Sequence, residues 1–334
     1  MFEHGILLAT NTLGKWGETN GVEYTYRNLL KEFNRARIQV DAITYGPRDN
    51  VERFGSVTVI THKPRLPLKI DPALRVDLCL GATAFARRIT SRRYSLVHSA
   101  TPDPLGDLAV KAAGRSECPV VSVYHTVLDY YARVRVGRVL GRAAGRAAGR
   151  LMMSVLKKHY NKSALILAPS EHTRQEISAY FSPPVEVLSR GIDTEVFSPR
   201  FRDRDRSNGR VEVLYVGRVA PEKNLDLLVE VFSRRPGIDL KVVGDGPYLD
   251  LMKRKLPRAV YTGKLTGESL SRAFANSDLF VFPSRSDSFG NVVMQAMCSG
   301  IPAVVTDSMG PKEQVKQGVT GFIATDTEEF IRAV

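Results

Sequence analysis

Short, continuous apolar runs alternate with helical patterns along nearly the whole chain. A run that is apolar at every position, rather than at every second one, predicts a strand covered on both faces. The predicted strands are Ile6–Ala9, Val40–Thr44, Val57–Thr61, Leu96–His98, Val120–Tyr124, Leu165–Ala168, Val211–Val216, Leu240–Val243, Ala259–Tyr261, Leu279–Phe282 and Ala303–Val305. The predicted helices between them include Gly21–Phe33, Leu105–Gly114, Asn224–Phe232 and Leu270–Ala275. Strands separated by helices predict a doubly wound α/β fold with parallel sheets, in which ligands bind at the carboxyl ends of the strands.

The pattern is interrupted between Ser198 and Arg210, where the chain reads SPRFRDRDRSNGR. This charged segment contains proline and glycine and has no hydrophobic periodicity, which is typical of an exposed connection between domains. We therefore predict an N-terminal Rossmann-like domain over residues 1–197, a linker over 198–210 and a C-terminal Rossmann-like domain over 211–334, the two domains facing across a cleft. Asp203 and Asp205 alternate with arginines here, so we interpret them as a solvated charge run rather than a metal site.

The overall charge limits the class of ligand. Of 334 residues, 43% are hydrophobic and 25% are charged, as in ordinary globular proteins, but the formal net charge is +13. Such an excess of cations favours polyanions, namely nucleic acid, an anionic membrane face or phosphorylated ligands. Because no nucleic-acid module can be recognised in the sequence, we predict that nucleic acid is not the partner.

Cysteine usage and the N-terminal residues bear on localisation. Cys79, Cys118 and Cys298 lie in apolar contexts without the spacing of a metal site, which indicates buried thiols in a reducing compartment. The opening MFEHGILLAT lacks the charged and long apolar regions of a signal peptide. No uninterrupted apolar run approaches the roughly 20 residues that a membrane span requires. We predict a cytoplasmic protein.

Residues 137–150 form a short repeat, GRVLGRAAGRAAGR. In a helix its four-residue spacing would align the arginines along one face, with an apolar side behind them. These arginines are Arg138, Arg142, Arg146 and Arg150. One interpretation is a basic amphipathic helix that lies on anionic lipid, at the inner face of a membrane. The other is a mobile and poorly helical surface segment, because each interior glycine costs about 1 kcal/mol relative to alanine.

The candidate chemistry lies in two places in the second half. Between Pro283 and Pro302 the chain reads PSRSDSFGNVVMQAMCSGIP, a strand end followed by a polar loop and an apolar helix that Gly290 opens. Helix N-termini bind anions, because unpaired backbone N–H groups and the helix dipole both point there. Arg218 and Lys223 follow the end of another predicted strand. Two anion-binding corners on one parallel sheet predict a diphosphate ligand.

Taken together, the motifs resemble a retaining glycosyltransferase of family four, with the GT-B fold. The resemblance extends over nearly the whole chain and depends on the family's order of motifs. The motifs are ETNGVEYTYRNLL, SVYHT, APSEHT, SRGIDTEVFSP, VGRVAPEKN, VVGDGP, FANSDLFVFPSRSDSFGNVV and SGIPAVVTD. It implies a nucleotide-sugar donor in the C-terminal half and an acceptor, a sugar or a lipid, mainly in the N-terminal half.

The resemblance also implies roles for individual residues. Arg218 and Lys223 would stabilise the leaving diphosphate. Asp287 stands at the first acid of the family's paired-glutamate motif and would contact sugar hydroxyls. Gln295 stands at the second, where it could accept from the ribose only through a neutral amide, or be an ordinary polar helix residue. Backbone groups near the donor would come from Gly244, Lys264, Leu265, Phe289, Gly290, Asn291 and Val292.

In the first half, Gly21 resembles the family's glycine-rich loop, and the alternative is a plain helix-start glycine. His125 matches the cleft histidine that positions the sugar, whereas we interpret His98 as structural. The family implies front-face attack, in which an oxygen of the leaving phosphate accepts the acceptor's proton. We therefore expect a metal-independent reaction without a cofactor beyond the donor substrate.

Two observations favour a second interpretation, a non-catalytic nucleotide-sugar-binding or scaffold protein on the same fold. The paired acids are replaced by Asp287 and Gln295. The family usually continues beyond TDTEEFIRAV into a helix that crosses back to the first domain, so we expect a fragment or a weaker hinge. Epimerases and sugar phosphorylases share the architecture, but no lysine context here marks the pyridoxal cofactor of a phosphorylase.

Overall fold

The computed structural model describes residues 5–13, 21–63, 67–71, 74–77, 94–125, 127–203 and 209–334. The chain divides into two compact units, Met1–Ser189 and Arg190–Val334. Each unit is built around a predominantly parallel sheet, which confirms the predicted α/β architecture.

The first unit contains an eight-stranded sheet in the order β10-β9-β8-β7-β1-β2-β4-β3. Its strands are β1 (Ile6–Ala9), β2 (Val40–Tyr45), β3 (Asn50–Phe54), β4 (Val57–His62), β7 (Leu96–Ser99), β8 (Val120–Val123), β9 (Leu165–Ala168) and β10 (Val185–Val187). A separate two-stranded sheet pairs β5 (Pro67–Asp71) with β6 (Leu74–Asp77). The helices are α1 (Gly21–Arg35), α2 (Pro104–Arg115), α3 (Leu128–Tyr160) and α4 (Glu171–Ser178). Apolar side chains of β1 and β2 pack against α1 on one face and against α2 on the other.

One edge of this unit carries an antiparallel strand that the sequence does not predict. β3 runs antiparallel to β4, with Phe54 opposite Val57. The two strands are joined by a turn at Gly55, which has the left-handed φ of 59°. β3 is an exposed edge strand. It therefore lacks the continuous apolar run by which the other strands are recognised.

The second unit contains a six-stranded parallel sheet in the order β13-β12-β11-β14-β15-β16. Its strands are β11 (Glu212–Val216), β12 (Asp239–Val243), β13 (Val260–Gly263), β14 (Leu279–Phe282), β15 (Ala303–Thr306) and β16 (Gly321–Ala324). The helices are α5 (Asp226–Arg234), α6 (Leu249–Lys255), α7 (Gly267–Ala275), α8 (Asn291–Cys298), α9 (Met309–Gln314) and α10 (Thr327–Ala333). From β11 the chain adds β12 and β13 on one side of the sheet, and from β14 it adds β15 and β16 on the other side. The neighbouring strands β11 and β14 therefore form the topological switch point.

The predicted linker over 198–210 is partly folded onto the second unit. Pro199–Phe201 forms a short 3-10 turn, which begins at Ser198. Asn276, at the end of α7, donates a hydrogen bond from its side-chain nitrogen to the Phe201 carbonyl at 3.0 Å. Asp203 pairs with Arg272 at 3.2 Å, while residues 204–208 lie outside the described part. The boundary between units falls earlier, at Ser189.

The glycine–arginine repeat is helical but not one continuous helix. α3 is broken at Gly141, whose φ of 85° and ψ of 165° are not helical. The predicted single row of arginines is therefore wrong, because Arg138 precedes the break whereas Arg142, Arg146 and Arg150 follow it. Glycine alone adopts this backbone conformation without strain, which explains why the chain turns there. Within the described ranges, no helix combines the length and the apolar character needed to cross a bilayer.

Candidate functional site

Several of the predicted donor-binding residues follow four adjacent strands of the second sheet. Arg218 comes after β11, Gly244 after β12, Lys264 and Leu265 after β13, and the loop that carries Asp287 after β14. Because these strands are parallel, all of these residues lie at the carboxyl edge of one sheet. The edge includes the switch point between β11 and β14, which is where doubly wound folds bind their ligands.

The segment after β11 is fixed by hydrogen bonds to its own backbone and to the loop after the neighbouring strand β14. The Tyr215 hydroxyl donates to the Arg218 carbonyl at 2.9 Å. Burial, together with the negative charges of Asp287 and Glu222, raises the pKa of Tyr215 well above its usual value, so the hydroxyl remains a donor. Asn224 adopts a left-handed conformation and donates from its side chain to the Pro283 carbonyl at 3.1 Å. These contacts hold the β11 and β14 loops together.

Each predicted phosphate-binding cation has an acidic partner. The Lys223 ammonium lies 2.8 Å from both carboxylate oxygens of Asp287, and only 15% and 22% of these side chains are exposed. Arg218 lies 3.4 Å from Glu222 in the same turn. The backbone of Glu222 is also tied to the second loop, because its carbonyl accepts from the Ser286 hydroxyl at 3.1 Å. The cations therefore lie beside the Asp287 loop within a locally balanced group of four charges.

Gly244 allows two loops of this edge to pass in contact. A Cβ atom at this position would lie 1.9 Å from the carbonyl oxygen of Gly217. Its φ of 141° is also one that side-chain-bearing residues rarely adopt. A residue other than glycine would separate the β11 and β12 loops and would displace Arg218, which follows Gly217 directly.

The loop at the start of α8 is held from below by α9. Gly290, the N-cap residue, is in the left-handed region with a φ of 79°. The Gln314 side chain donates to the Phe289 carbonyl. The Arg190 guanidinium lies 5.4 Å from the centre of the Phe289 ring. The N-terminus of α8 lies at the same sheet edge as Lys223 and Asp287, and the positive end of its helix dipole suits an anionic group.

The remaining predicted donor residues differ in exposure. Gln295 is buried in the second turn of α8, with 6% of its surface exposed, and Asn291 is also buried. Val292 and Leu265 are half-buried, whereas Lys264 is exposed. At Lys264 and Leu265 the predicted contact is through the backbone, so their side-chain exposure does not decide it.

In the first unit, one tyrosine joins two histidines. The Tyr26 hydroxyl lies 2.8 Å from Nε2 of His98 and 3.0 Å from Nε2 of the predicted site residue His125. Burial lowers the pKa of His98 to about 4, so its imidazole is neutral at physiological pH. Since a hydroxyl carries one proton, Tyr26 can donate to only one of the two imidazoles. Gly21, the other predicted site residue of this unit, is the first residue of α1, the helix that carries Tyr26.

Sequence reasoning did not identify the residues that contact the predicted site residues or their loops within each unit. Tyr26, Tyr215, Glu222 and Gln314 act through contacts with side chains or carbonyls elsewhere in the fold, and only Glu222 had a local signal, its position between Arg218 and Lys223.

Among the described residues, no group of three or more histidine, cysteine or acidic side chains is arranged to hold a metal ion.

Comparison with known proteins gives matches in both halves of the chain. Residues 19–196 match the model for Glycosyltransferase Family 4, and residues 210–334 match the model for Glycosyl transferases group 1. A sulfoquinovosyl transferase of Arabidopsis thaliana is 33% identical over an alignment of length 322, and the match covers 91% of this chain and 60% of that protein. A GDP-mannose-dependent alpha-mannosyltransferase of Mycobacterium tuberculosis is 30% identical over 316 residues, covering 92% of this chain and 80% of that protein. This chain thus spans 60% of the length of the plant relative.

Among solved structures, sucrose-phosphate synthase from Thermosynechococcus elongatus superposes with a TM-score of 0.77. The match covers 99% of this chain and 88% of that one at 18% sequence identity, so it bears on the fold alone. The fold is of the GT-B type, as the sequence predicts. The family models, the relatives and the two parallel sheets agree, and the chain belongs to glycosyltransferase family 4.

Proposed function

We propose that this chain transfers a hexose from a nucleoside-diphosphate sugar to a hydroxyl acceptor, with retention of anomeric configuration and without a metal ion. The observation that carries this proposal is the contact of Lys223 with Asp287 at the carboxyl edge of the second sheet. It joins a cation suited to a diphosphate with an acid suited to sugar hydroxyls, beside the N-terminus of α8. A nucleotide sugar presents these same two chemical groups next to each other.

Arg218, Lys223 and the first amides of α8 would stabilise the negative charge that develops on the diphosphate as it leaves. Two fixed cations supply this stabilisation without a metal ion. Lys223 is held beside Asp287 by hydrogen bonds to both carboxylate oxygens, so the cation proposed for the diphosphate and the acid proposed for the sugar lie together. Asp287 would accept hydrogen bonds from the sugar, and Gln295 would accept from the ribose through its amide oxygen.

Retention follows if the acceptor attacks from the face that the diphosphate leaves. The bond between the anomeric carbon and the phosphate oxygen breaks, and the acceptor oxygen bonds to the same face. The acceptor's proton passes to the departing phosphate oxygen, so no protein nucleophile is consumed. The protein's contribution is orientation and electrostatic stabilisation. The family resemblance also assigns His125 and Gly21 a role in orienting the sugar.

The acceptor is proposed to be a lipid or a glycan precursor at an anionic membrane surface. The arginines after the break of α3, which are Arg142, Arg146 and Arg150, are exposed. Cations near an anionic surface are attracted to its lipid headgroups. Arg138 precedes the break and belongs to the same basic segment. Contact through these arginines would make the protein a peripheral one.

A specific observation favours the second candidate function, a non-catalytic nucleotide-sugar-binding protein. Arg218 and Lys223 already have the acidic partners Glu222 and Asp287, which offset the positive charge that a leaving group requires. Gln295 lacks the charge of the usual acid. Such a site could hold a nucleotide sugar and stabilise its cleavage poorly.

A thermal-shift panel of UDP, GDP and ADP, each with and without a hexose, tests both candidates. We expect one base to raise Tm clearly, because ligands that bind only the folded state stabilise it. Arg218→Ala should lose the shift, whereas Arg258→Ala, at an exposed arginine on the opposite edge of the sheet, should keep it. If Arg218→Ala kept the rise in Tm as fully as Arg258→Ala does, the result would contradict the proposed site. Binding without hydrolysis or transfer of the donor would favour the non-catalytic protein.

A further inference from the structure

The glycine–arginine repeat forms the bend of a helical hairpin, hereafter the α3 hairpin. The chain reverses at Gly141, and the two arms of α3 pack against each other at backbone distance. A Cβ atom on Gly145 would lie 2.5 Å from the Arg133 carbonyl oxygen and 2.8 Å from the Cα of Gly137. One on Gly149 would lie 3.3 Å from the Arg133 side chain. The glycines therefore allow close packing of the arms, and the spacing that suggested a weak helix is explained by tertiary contact.

The base of the α3 hairpin is anchored, whereas its tip is exposed. At the base, the Tyr160 hydroxyl donates to the Val123 carbonyl at 3.1 Å, and the His159 ring is bonded to Asp107 at 2.5 Å and to the Ser99 hydroxyl at 3.2 Å. At the tip, residues 139–143 are all exposed. The hairpin is therefore a projection with a fixed root.

The exposed tip combines apolar residues with cations. Val139 is 81% exposed and Leu140 is 71% exposed, which are the two largest values among the exposed large hydrophobic residues of the described chain. Exposed arginines flank the tip on both arms: Arg133 lies on the arm before Gly141, and Arg142 and Arg146 lie on the arm after it. The sequence from 128 to 160 contains eight lysines and arginines but a single acidic residue, Asp129, which lies at the root. This segment carries more than half of the net charge of +13.

These two properties select one partner among polyanions. Nucleic acid would pair with the arginines but would leave Val139 and Leu140 in water. An anionic bilayer has phosphates at its surface and an apolar layer beneath them, so it matches the arginines and the tip at the same time. We propose that the tip of the α3 hairpin inserts Val139 and Leu140 into the surface of an anionic bilayer, with Arg142 and Arg146 on the lipid phosphates.

The root of the α3 hairpin gives this docking a consequence for the reaction. Only two residues separate His125 from the start of α3 at Leu128. Tyr160 is bonded to the same strand, β8, that leads to His125. Insertion of the tip would thus hold the strand end that carries His125 at a fixed distance from the membrane. This consequence depends on the proposed lipid acceptor, whereas the docking itself does not.

Vesicle sedimentation tests the docking without any donor or acceptor. The double variant Val139→Asp/Leu140→Asp is compared with Val260→Asp/Val319→Asp, which changes the charge equally at exposed apolar positions of the second unit. On phosphatidylcholine vesicles that contain phosphatidylglycerol, we expect the tip variant to lose roughly tenfold or more in partition coefficient, because apolar burial is lost. The control should lose only about twofold through its added negative charge.

A second pair of variants isolates the arginines. Arg142→Ala/Arg146→Ala should weaken binding to the anionic vesicles more than Arg254→Ala/Arg258→Ala, and the difference should disappear at high salt. Equal partitioning to neutral and anionic vesicles, or equal losses in the tip variant and its control, would overturn the proposal. A blue shift of an added tryptophan in Leu140→Trp, absent in Val319→Trp, would support it, and a shift in neither would contradict it.

The nucleotide thermal shift, measured on the same variants, separates this inference from the proposed function. Tip variants that keep the nucleotide shift while losing vesicle binding support the docking. Wild-type protein that shows no nucleotide shift but still binds anionic vesicles through its tip would refute the proposed reaction and leave the docking intact. Loss of the far-UV circular dichroism signal would identify a variant that has not folded. In that case the fluorescence of Leu140→Trp decides whether the tip inserts.

Discussion

Lys223 and Asp287 form a bidentate contact, with the ammonium 2.8 Å from each carboxylate oxygen. They are 64 positions apart in the sequence and belong to loops that follow two neighbouring strands. The pair is mostly buried, so the attraction is screened less than at the surface. An anion that approaches Lys223 would therefore meet a cation whose charge is already partly balanced by Asp287.

Asp287→Asn should separate the effect of this pair on diphosphate binding from its effect on sugar transfer. The amide keeps the size of the side chain but removes a negative charge beside Lys223, so a nucleoside diphosphate should bind about threefold to tenfold more tightly. Transfer of the sugar should fall roughly 100-fold, because a neutral amide replaces the charge-assisted contact with the sugar. Isothermal titration and donor turnover measure the two effects.

The control for this prediction is Asp239→Asn, which removes an exposed carboxylate paired with Arg210 at the opposite edge of the sheet. It should leave both quantities unchanged. Unaltered or weaker binding of the nucleoside diphosphate to Asp287→Asn would show that the carboxylate does not oppose phosphate at Lys223.

Gln295→Glu should strengthen binding of the nucleotide. Gln295 is buried in α8, and a carboxylate there would accept from the ribose hydroxyls with charge assistance. We expect affinity for the preferred nucleoside diphosphate to rise about threefold to tenfold. The 2′,3′-dideoxy analogue serves as the internal control, because it lacks the hydroxyls and should gain nothing. An equal gain in affinity for both nucleotides would show that the side chain at 295 does not act through the ribose hydroxyls.

The sequence predicts the strands at the centre of both sheets because those strands are apolar at every position. From these, the carboxyl edge and the separate positions of Arg218, Gly244 and Asp287 follow. It does not predict the edge strand β3, whose residues are exposed. It also does not predict which acid pairs with Lys223, or that Tyr26 reaches His125 across 99 positions, because such contacts depend on how loops and helices pack.

The glycine repeat is a different case, in which a local rule gave the wrong outcome. Glycine has low helix propensity, yet α3 forms, because Gly145 and Gly149 allow its arms to approach more closely than any other residue would. Tertiary packing outweighs propensity here. The four-residue spacing reflects the seam between two arms and not a single row of arginines.

Tyr26→Phe should impair catalysis more than binding. We expect Tyr26 to act as a positioning residue, because its hydroxyl contacts His125 and His98 and the residue as a whole is only 1% exposed. Without this hydroxyl the His125 ring loses a fixed partner, so kcat should fall about tenfold while KM for the donor changes little. Steady-state kinetics on the purified chain would separate the two parameters.

Tyr160→Phe is the matched control, since it removes another buried hydroxyl of the same unit, one bonded to the Val123 carbonyl. Both substitutions should lower stability by about 1 kcal/mol. A similar fall of kcat in both variants would reduce the role of Tyr26 to one of stability.

Stability should fall as pH decreases, in part through His98. Its pKa is about 4 in the folded protein, compared with 6.5 for an ordinary histidine, because the ring is buried. Since the unfolded state binds more protons in this interval, the contribution to stability is complete above 6.5 and is lost progressively toward 4. The loss attributable to this residue is at most about 3 kcal/mol.

Urea unfolding at neutral pH and at about pH 5 measures this dependence. His98→Gln, which does not titrate, should show a smaller change in unfolding free energy between the two pH values than wild type. His172→Gln, on α4, is the control and should follow wild type. If His98→Gln retains the full wild-type dependence, other groups account for it.

Gly145→Ala should destabilise the first unit by overpacking the seam of the α3 hairpin. The added methyl group would lie 2.5 Å from the Arg133 carbonyl oxygen, so the arms must separate. We expect a loss of about 1 to 3 kcal/mol, measured by urea unfolding. Gly114→Ala is the matched control, because no atom lies within 4 Å of its added methyl group. That substitution, near the end of α2, should be neutral or stabilise by up to about 1 kcal/mol, as expected from helix propensity alone. If alanine at 145 were equally harmless, the two arms could not be packed at backbone distance in solution.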